Sequence, residues 1–202
     1  MKIETLDRVN YYAEKYTGGS INAADLLCDR HPEGNLAFRL IEQDQSYNDI
    51  SFRDLREESE KLASGLIKDG VKPGDRIAML MGKSREFIIS LVAIWRSGGV
   101  YVPLFTAFST PAIELRLKES NSKYIICDNI QLPKLEPIAT DETTNLKHII
   151  VTAPKKEIPY WCSDWDSYLL NTHQEKYPRL NSKDPFIHIF TSGTTGNQKG
   201  EV

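Results

Sequence analysis

Arg76-Ile77-Ala78-Met79-Leu80-Met81, running straight into Gly82-Lys83-Ser84, decides the fold of this chain. Successive side chains of a strand point to opposite faces, so an unbroken apolar run after Arg76 puts apolar groups on both faces. A strand covered on both sides belongs inside a parallel sheet, whose crossover helices lie over each face. Val71-Lys72-Pro73-Gly74-Asp75 supplies the turn before it. Gly82-Lys83-Ser84 looks like the tail of a nucleotide P-loop, but that loop needs a first glycine where Ile77 stands. Ser84 is therefore read as the N-cap of a helix over 85–97. Phe87, Ile88, Leu91, Val92, Ile94 and Trp95 fall on more than one face of it, which predicts a largely buried element.

The same logic extends in both directions. Upstream, Ser51 is an N-cap for a helix with Phe52, Leu55, Leu62, Leu66 and Ile67 on one face and Gly70 just past its end. Before it, 11–16 and 21–30 read as helical, His31-Pro32-Glu33-Gly34 as a break, and 36–43 with 47–50 as two short strands around a polar turn. Downstream, 100–104 is a strand ended by proline, and Thr110-Pro111 is an N-cap and first-turn pair for a helix through 119, with Ile113 and Leu117 facing inward. Strands follow at 124–127 and 148–151, separated by a stretch marked by Pro133 and Pro137. Strand and helix alternate, which implies an α/β fold: a doubly wound, mostly parallel sheet with flanking helices and right-handed crossovers. The organisation expected is N-terminal helices and short strands (1–50), an α/β core (51–151), a surface connection holding one short helix (152–185), and a strand with a glycine-rich loop (186–202). Within the connection, Tyr160, Trp161, Trp165 and Tyr168 are expected to pin a long loop to the core.

The last strand, Phe186-Ile187-His188-Ile189-Phe190, delivers Thr191-Ser192-Gly193-Thr194-Thr195-Gly196-Asn197-Gln198-Lys199-Gly200. Glycines let the backbone bring its N–H groups against phosphate oxygens, the hydroxyls add neutral donors, and Lys199 adds a positive charge. The run fits neither the Walker A pattern nor the dinucleotide fingerprint.

It resembles the phosphate loop of the adenylate-forming, AMP-binding enzymes, the superfamily of acyl-CoA synthetases, luciferases and peptide-synthetase adenylation domains. Their signature reads roughly Ser/Thr-Ser-Gly-Ser/Thr-Thr-Gly-x-Pro-Lys-Gly. Gln198 stands where that signature has proline, and Glu201 follows where small or apolar residues are usual. Trp95-Arg96-Ser97-Gly98-Gly99-Val100-Tyr101-Val102-Pro103-Leu104 is similar to a second family segment, L-K-A-G-G-A-Y-V-P. Its continuation, Phe105-Thr106-Ala107-Phe108-Ser109 with Ile113, Arg116 and Leu117, looks most like the acyl-CoA synthetase branch. For Gly98-Gly99 themselves a structural task is expected, ending a helix and permitting close packing.

The resemblance runs from about residue 20 onward and covers the first part of a family member, an incomplete N-terminal domain of the adenylate-forming fold. It implies ATP with Mg²⁺, coenzyme A, and a small-molecule carboxylic acid, joined through an acyl-adenylate. Thr191, Ser192, Gly193, Thr194, Thr195, Gly196, Lys199 and Gly200 would cradle the phosphates. The family's adenine and ribose contacts, hinge and C-terminal lysine have no counterpart that can be assigned, so the 202 residues are expected to lack ligase activity alone. An amino-acid adenylation domain and a non-catalytic nucleotide-binding or interaction module remain as alternatives.

Composition sets outer bounds. The 202 residues are 40% hydrophobic and 26% charged with a net charge of −3, a globular composition without the basic footprint that nucleic acid binding requires. No apolar run approaches a bilayer span, and the first residues lack the apolar core of a secretory signal, so the expected compartment is the cytoplasm. Cys28, Cys127 and Cys162 are odd in number and widely spaced, supporting neither a disulfide framework nor a zinc site. His31, His148, His173 and His188 show no ligand spacing and are read as structural or surface residues. Oligomeric state has no signature.

Overall fold

A computed structural model of the chain describes residues 5–17, 22–141, 144–152, 158–170, 177–181, 183–191 and 199–201. The N-terminal part holds α1 (Thr5–Thr17), a π-helical turn over Asp25–Asp29, and the antiparallel pair β1 (Leu36–Ile41) and β2 (Tyr47–Ser51). The helix α2 (Phe52–Lys68) starts in a capping box: Ser51 Oγ accepts from Asp54 N at 3.2 Å, and Ser51 N donates back to Asp54 Oδ2 at 3.1 Å. Two backbone donors that a helix start leaves orphaned are thereby satisfied.

Next come β3 (Arg76–Leu80), α3 (Arg85–Arg96), β4 (Val100–Pro103), α4 (Thr110–Ser120), β5 (Tyr124–Asp128), α5 (Leu132–Ala139) and β6 (His148–Thr152), followed by β7 (Cys162–Asp164) and α6 (Trp165–Tyr168). Among the described residues the central sheet has five parallel strands in the order β4-β3-β5-β6-β7. The unbroken apolar strands are buried on both sides. Ile77, Met79, Ile126 and Ile150 pack with α2, α3 and α6, whereas Ala78, Leu80, Ile125, Cys127, Ile149 and Val151 pack with α4 and α5. Each such aliphatic side chain contributes roughly 1.5–3 kcal/mol by leaving water. The doubly wound α/β reading therefore holds.

Four local expectations need correction. The stretch around Pro133 and Pro137 folds into α5, because Pro133 sits in the first turn where its missing N–H costs nothing, and burial of Leu135 and Ile138 offsets Pro137 inside. Residues 162–164 add β7 to the sheet edge within the stretch read as connection; Cys-Ser-Asp offers no apolar run to announce it. Ser109, with extended backbone and no side-chain hydrogen bond, is the N-cap of α4, and Thr110 is already its first residue. Between residues 25 and 29 the chain widens into a π turn rather than a plain helix.

Gly98 and Gly99 do what packing demanded. Gly98 takes φ +81° and donates to Trp95 O at 3.0 Å, and Gly99 donates to Ile94 O at 2.8 Å, which closes α3 with a left-handed cap. A Cβ on Gly98 would lie 3.2 Å from Pro73 Cα, and one on Gly99 3.0 Å from Ile77 Cδ1. Trp165 and Tyr168 are buried, Trp165 donating from Nε1 to Ser90 Oγ at 2.9 Å and Tyr168 from its hydroxyl to Asp69. Trp161 packs partly against the α4 side, and Tyr160 points into solvent. Of the aromatic cluster, then, all but Tyr160 pin the segment down.

Candidate functional site

The glycine-rich run is entered from β4. Residues 186–188 lie along that strand: Tyr101 N donates to Phe186 O at 3.0 Å, His188 N donates to Tyr101 O at 2.8 Å, and Tyr101 bridges Ile187 in parallel. Trp95 Nε1 also donates to Phe186 O, at 2.8 Å. The segment then leaves the sheet and becomes β8 (Ile189–Thr191), which pairs antiparallel with β9 (Lys199–Glu201). The strand expected over 186–190 is thus split, its first half attached to the sheet edge and its second half forming a hairpin.

In that hairpin Thr191 stands opposite Lys199, Phe190 opposite Gly200 and Ile189 opposite Glu201. Thr191, one of the expected phosphate contacts, ends β8 with its side chain exposed. Lys199 and Gly200 are placed by backbone in β9. Ser192, Gly193, Thr194, Thr195 and Gly196 lie outside the described residues, as do Asn197 and Gln198. The two ends of the run therefore meet across one ladder rung.

Behind β8 lies a ladder of rings. His188 stacks on Phe190, centroids 4.9 Å apart and planes 19° from parallel. Arg116, from the inward face of α4, holds its Cζ 3.9 Å from the centre of the Phe108 ring and 5.8 Å from that of Phe190. Phe108 meets Phe105 edge-on at 5.2 Å. His188 is 6% exposed, and neither ring nitrogen has a partner among the described residues. Burial, helped by Arg76 and opposed by Glu119, holds its pKa below the ordinary imidazole value, so the ring is neutral at pH 7. In the sequence Arg116 stands only as part of a motif; the signal of its buried position is its place three residues after Ile113 on the same helix face.

The remaining candidates that the structure describes have structural partners or are free thiols. Ser84 Oγ accepts from Phe87 N at 3.2 Å, so Gly82-Lys83-Ser84 caps α3. His31 stacks on Phe52 at 4.3 Å and His148 on Tyr124 at 5.1 Å, and His173 lies outside the described residues. Cys28, Cys127 and Cys162 are free thiols, and burial is the main cause pushing Cys28 up to about 11 and Cys162 up to about 12, away from the reactive thiolate. Among the described residues there is no group of metal-ligating side chains and no helix long and apolar enough to cross a membrane.

A parallel sheet wound on both faces, with the β8–β9 hairpin leaving its edge, defines the class as a doubly wound α/β protein. The family model described as AMP-binding enzyme matches residues 27–202, and the chain belongs to that family. Acetyl-coenzyme A synthetase of Pseudoalteromonas translucida is 28% identical, covering all of this chain and 34% of its own length. N-(5-amino-5-carboxypentanoyl)-L-cysteinyl-D-valine synthase of Penicillium rubens is 29% identical over 75% of this chain and 4% of its own length. Among solved structures, an acyl-CoA synthetase of Brucella canis superposes with a TM-score of 0.83 at 28% identity, covering 95% of this chain and 36% of that one. An anthranilate CoA ligase in complex with anthranoyl-AMP shares the fold, at a TM-score of 0.76. The chain spans about a third of the length of the acetyl-coenzyme A synthetase it matches.

Proposed function

We propose that the chain supplies the phosphate-binding part of an ATP-dependent, AMP-forming acyl-CoA synthetase acting on a small carboxylic acid in the cytoplasm. The observation that carries this reading is the rung between Thr191 and Lys199, which brings the two ends of the hydroxyl and glycine run together in a chain of the AMP-binding family. The acyl-CoA branch is favoured because acetyl-coenzyme A synthetase aligns with all of this chain, N-terminal part included, whereas the peptide synthase covers three quarters of it.

In the proposed reaction the acid's carboxylate attacks the α-phosphorus of ATP and expels pyrophosphate; the thiol of coenzyme A then attacks the acyl carbon of the adenylate, forming the thioester and releasing AMP. Negative charge accumulates on the departing pyrophosphate, so donors around the terminal phosphates help in proportion to how much more tightly they bind that charge in the transition state. Thr191, Ser192, Thr194 and Thr195 would donate from hydroxyls, and Gly193, Gly196 and Gly200 would let backbone N–H groups approach. Lys199 would supply compact positive charge. Mg²⁺, bound with the nucleotide, would neutralise part of the phosphate charge.

ATP–pyrophosphate exchange by a longer protein that contains this chain tests this. Exchange that depends on acetate or another short acid, on Mg²⁺ and on Lys199 supports it, with Lys199→Ala lowering the rate on the order of 10²–10³. Exchange driven by amino acids instead would move the chain to the adenylation-domain reading. Binding of ATP without exchange under any acid would favour a non-catalytic module. The 202 residues on their own are proposed to give no turnover, and robust exchange by them alone would overturn that part.

A further inference from the structure

His188 is the residue at which the chain lets go of the sheet edge. Tyr101 N and Trp95 Nε1 both donate to Phe186 O, and His188 N donates to Tyr101 O, which fixes 186–188 on β4; Ile189 then begins β8. The His188 imidazole is 6% exposed and stacked on Phe190, which packs on the α4 side of the sheet. Neither ring nitrogen has a hydrogen-bond partner among the described residues. His31 and His148 also stack on rings, but the first is exposed and the second half-buried, so water can serve their nitrogens.

A neutral imidazole carries one donor and one acceptor. With neither partnered, the docked ring lacks bonds that it would make with water once the segment opened. Protonation widens the mismatch, because imidazolium has two N–H donors and a charge, and a buried charge without a partner costs far more than a buried polar group. The surroundings do little to offset that charge. Arg76 on β3 repels it, and Glu119 on α4 attracts it from an exposed position. Arg116, also on α4, holds its guanidinium 5.8 Å from the Phe190 ring. On β9, Lys199 and Glu201 stand opposite Thr191 and Ile189, and the Tyr101 side chain packs on the other face with the α2–α3 core.

We propose that His188 is a pH-sensitive latch: neutral, it lies on Phe190 and 186–188 stay on β4; protonated, it leaves the stack for water and releases 186–188 with β8 from the sheet edge. The latch governs where the hairpin sits and does not rest on what the hairpin binds. Closure is complete above the solvated imidazole value of about 6.5 and weakens as pH falls below it. With that open-state value, the opening constant can rise by at most about thirtyfold between pH 7.5 and 5.

Hydrogen exchange of single amides in the full chain, followed by NMR and corrected for the intrinsic pH dependence of exchange, tests the latch. Tyr101 N and His188 N bond across the joint, whereas Val100 N and Leu104 N, at the two ends of β4, bond to Asp75 O and Met79 O on the β3 side. Between pH 7.5 and 5 the protection of the first pair should fall about tenfold or more while that of the second holds within about twofold, and the imidazole should titrate below about 6.5. His188→Phe keeps a ring on Phe190 and His188→Asn keeps a polar group, and neither titrates; in both, the first pair should show no fall beyond that of the second. Four results overturn the proposal: steady protection of the first pair in the parent, a fall shared by all four amides, the same selective fall in either variant, or an imidazole midpoint at or above about 6.5. Where one variant does not fold, the other and the imidazole midpoint decide.

Discussion

Replacing Arg96 with methionine should cost about 2–3 kcal/mol of folding stability. Arg96 is 3% exposed and joins α3 to the N-terminal π turn through a two-pronged contact with Asp29. Removing one partner of a buried pair strands the other, at about 3–5 kcal/mol. Two features lower that figure: the Asp29 side chain is 27% exposed, and Arg56 remains 3.5 Å from its carboxylate and bonded to its carbonyl at 2.7 Å. Methionine also refills part of the space. Urea unfolding followed by circular dichroism reads the difference, and with a slope of about 2 kcal/mol/M the midpoint should fall by about 1 M at constant slope. Adding Asp29→Asn to Arg96→Met should cost less than the sum of the two single changes, by about 1 kcal/mol or more. A loss under about 0.5 kcal/mol for Arg96→Met, or strict additivity in the double variant, refutes the reasoning.

Other outcomes follow from the same structure. Gly98→Ala should lose about 2–3 kcal/mol in the same assay, because alanine resists a φ of +81° and its Cβ would crowd Pro73 and Pro178; a loss within 0.5 kcal/mol would show that the cap relaxes freely. His188→Leu should be neutral or stabilising at pH 8, since it removes two buried nitrogens that lack partners among the described residues. With the folded pKa of His188 depressed, its neutral form supports the fold above the unfolded value of about 6.5, and that support is lost as pH falls toward the folded value. Stability of His188→Leu should accordingly decline less between pH 7 and 5 than that of the parent, and parallel curves would count against the burial argument. The Asp54 pKa is lowered by its hydrogen bonds from the Ser51 side chain and backbone, so the capping box contributes fully above the unfolded carboxyl value of about 3.9 and is lost as pH falls through the folded one. Asp54→Asn should blunt that acid dependence, which pH-dependent urea midpoints would detect.

Much of this architecture was legible because one-body signals coincide with tertiary need. The apolar run at 76–81 had to be covered on both faces, Ser51 and Ser84 had to cap, and Gly98-Gly99 had to close α3 against Pro73 and Ile77. What escaped depended on partners. Pro133 and Pro137 mark the stretch between two strands without announcing a helix, and burial of Leu135 and Ile138 makes it helical. Cys162-Ser163-Asp164 becomes a strand because β6 is there to pair with it. At the candidate site the sequence supplied the donors, but the departure of β8 from the sheet edge hinges on Phe186 O, which accepts from both Trp95 and Tyr101.

Calorimetric titration of MgATP into the parent and into Lys199→Ala tests the central claim most directly, that the β8–β9 hairpin takes the nucleotide's phosphates. One charge-assisted hydrogen bond is worth roughly 1.5–3 kcal/mol, so the substitution should weaken binding by about 10- to 150-fold. Undiminished affinity in Lys199→Ala would place the nucleotide elsewhere and contradict the account.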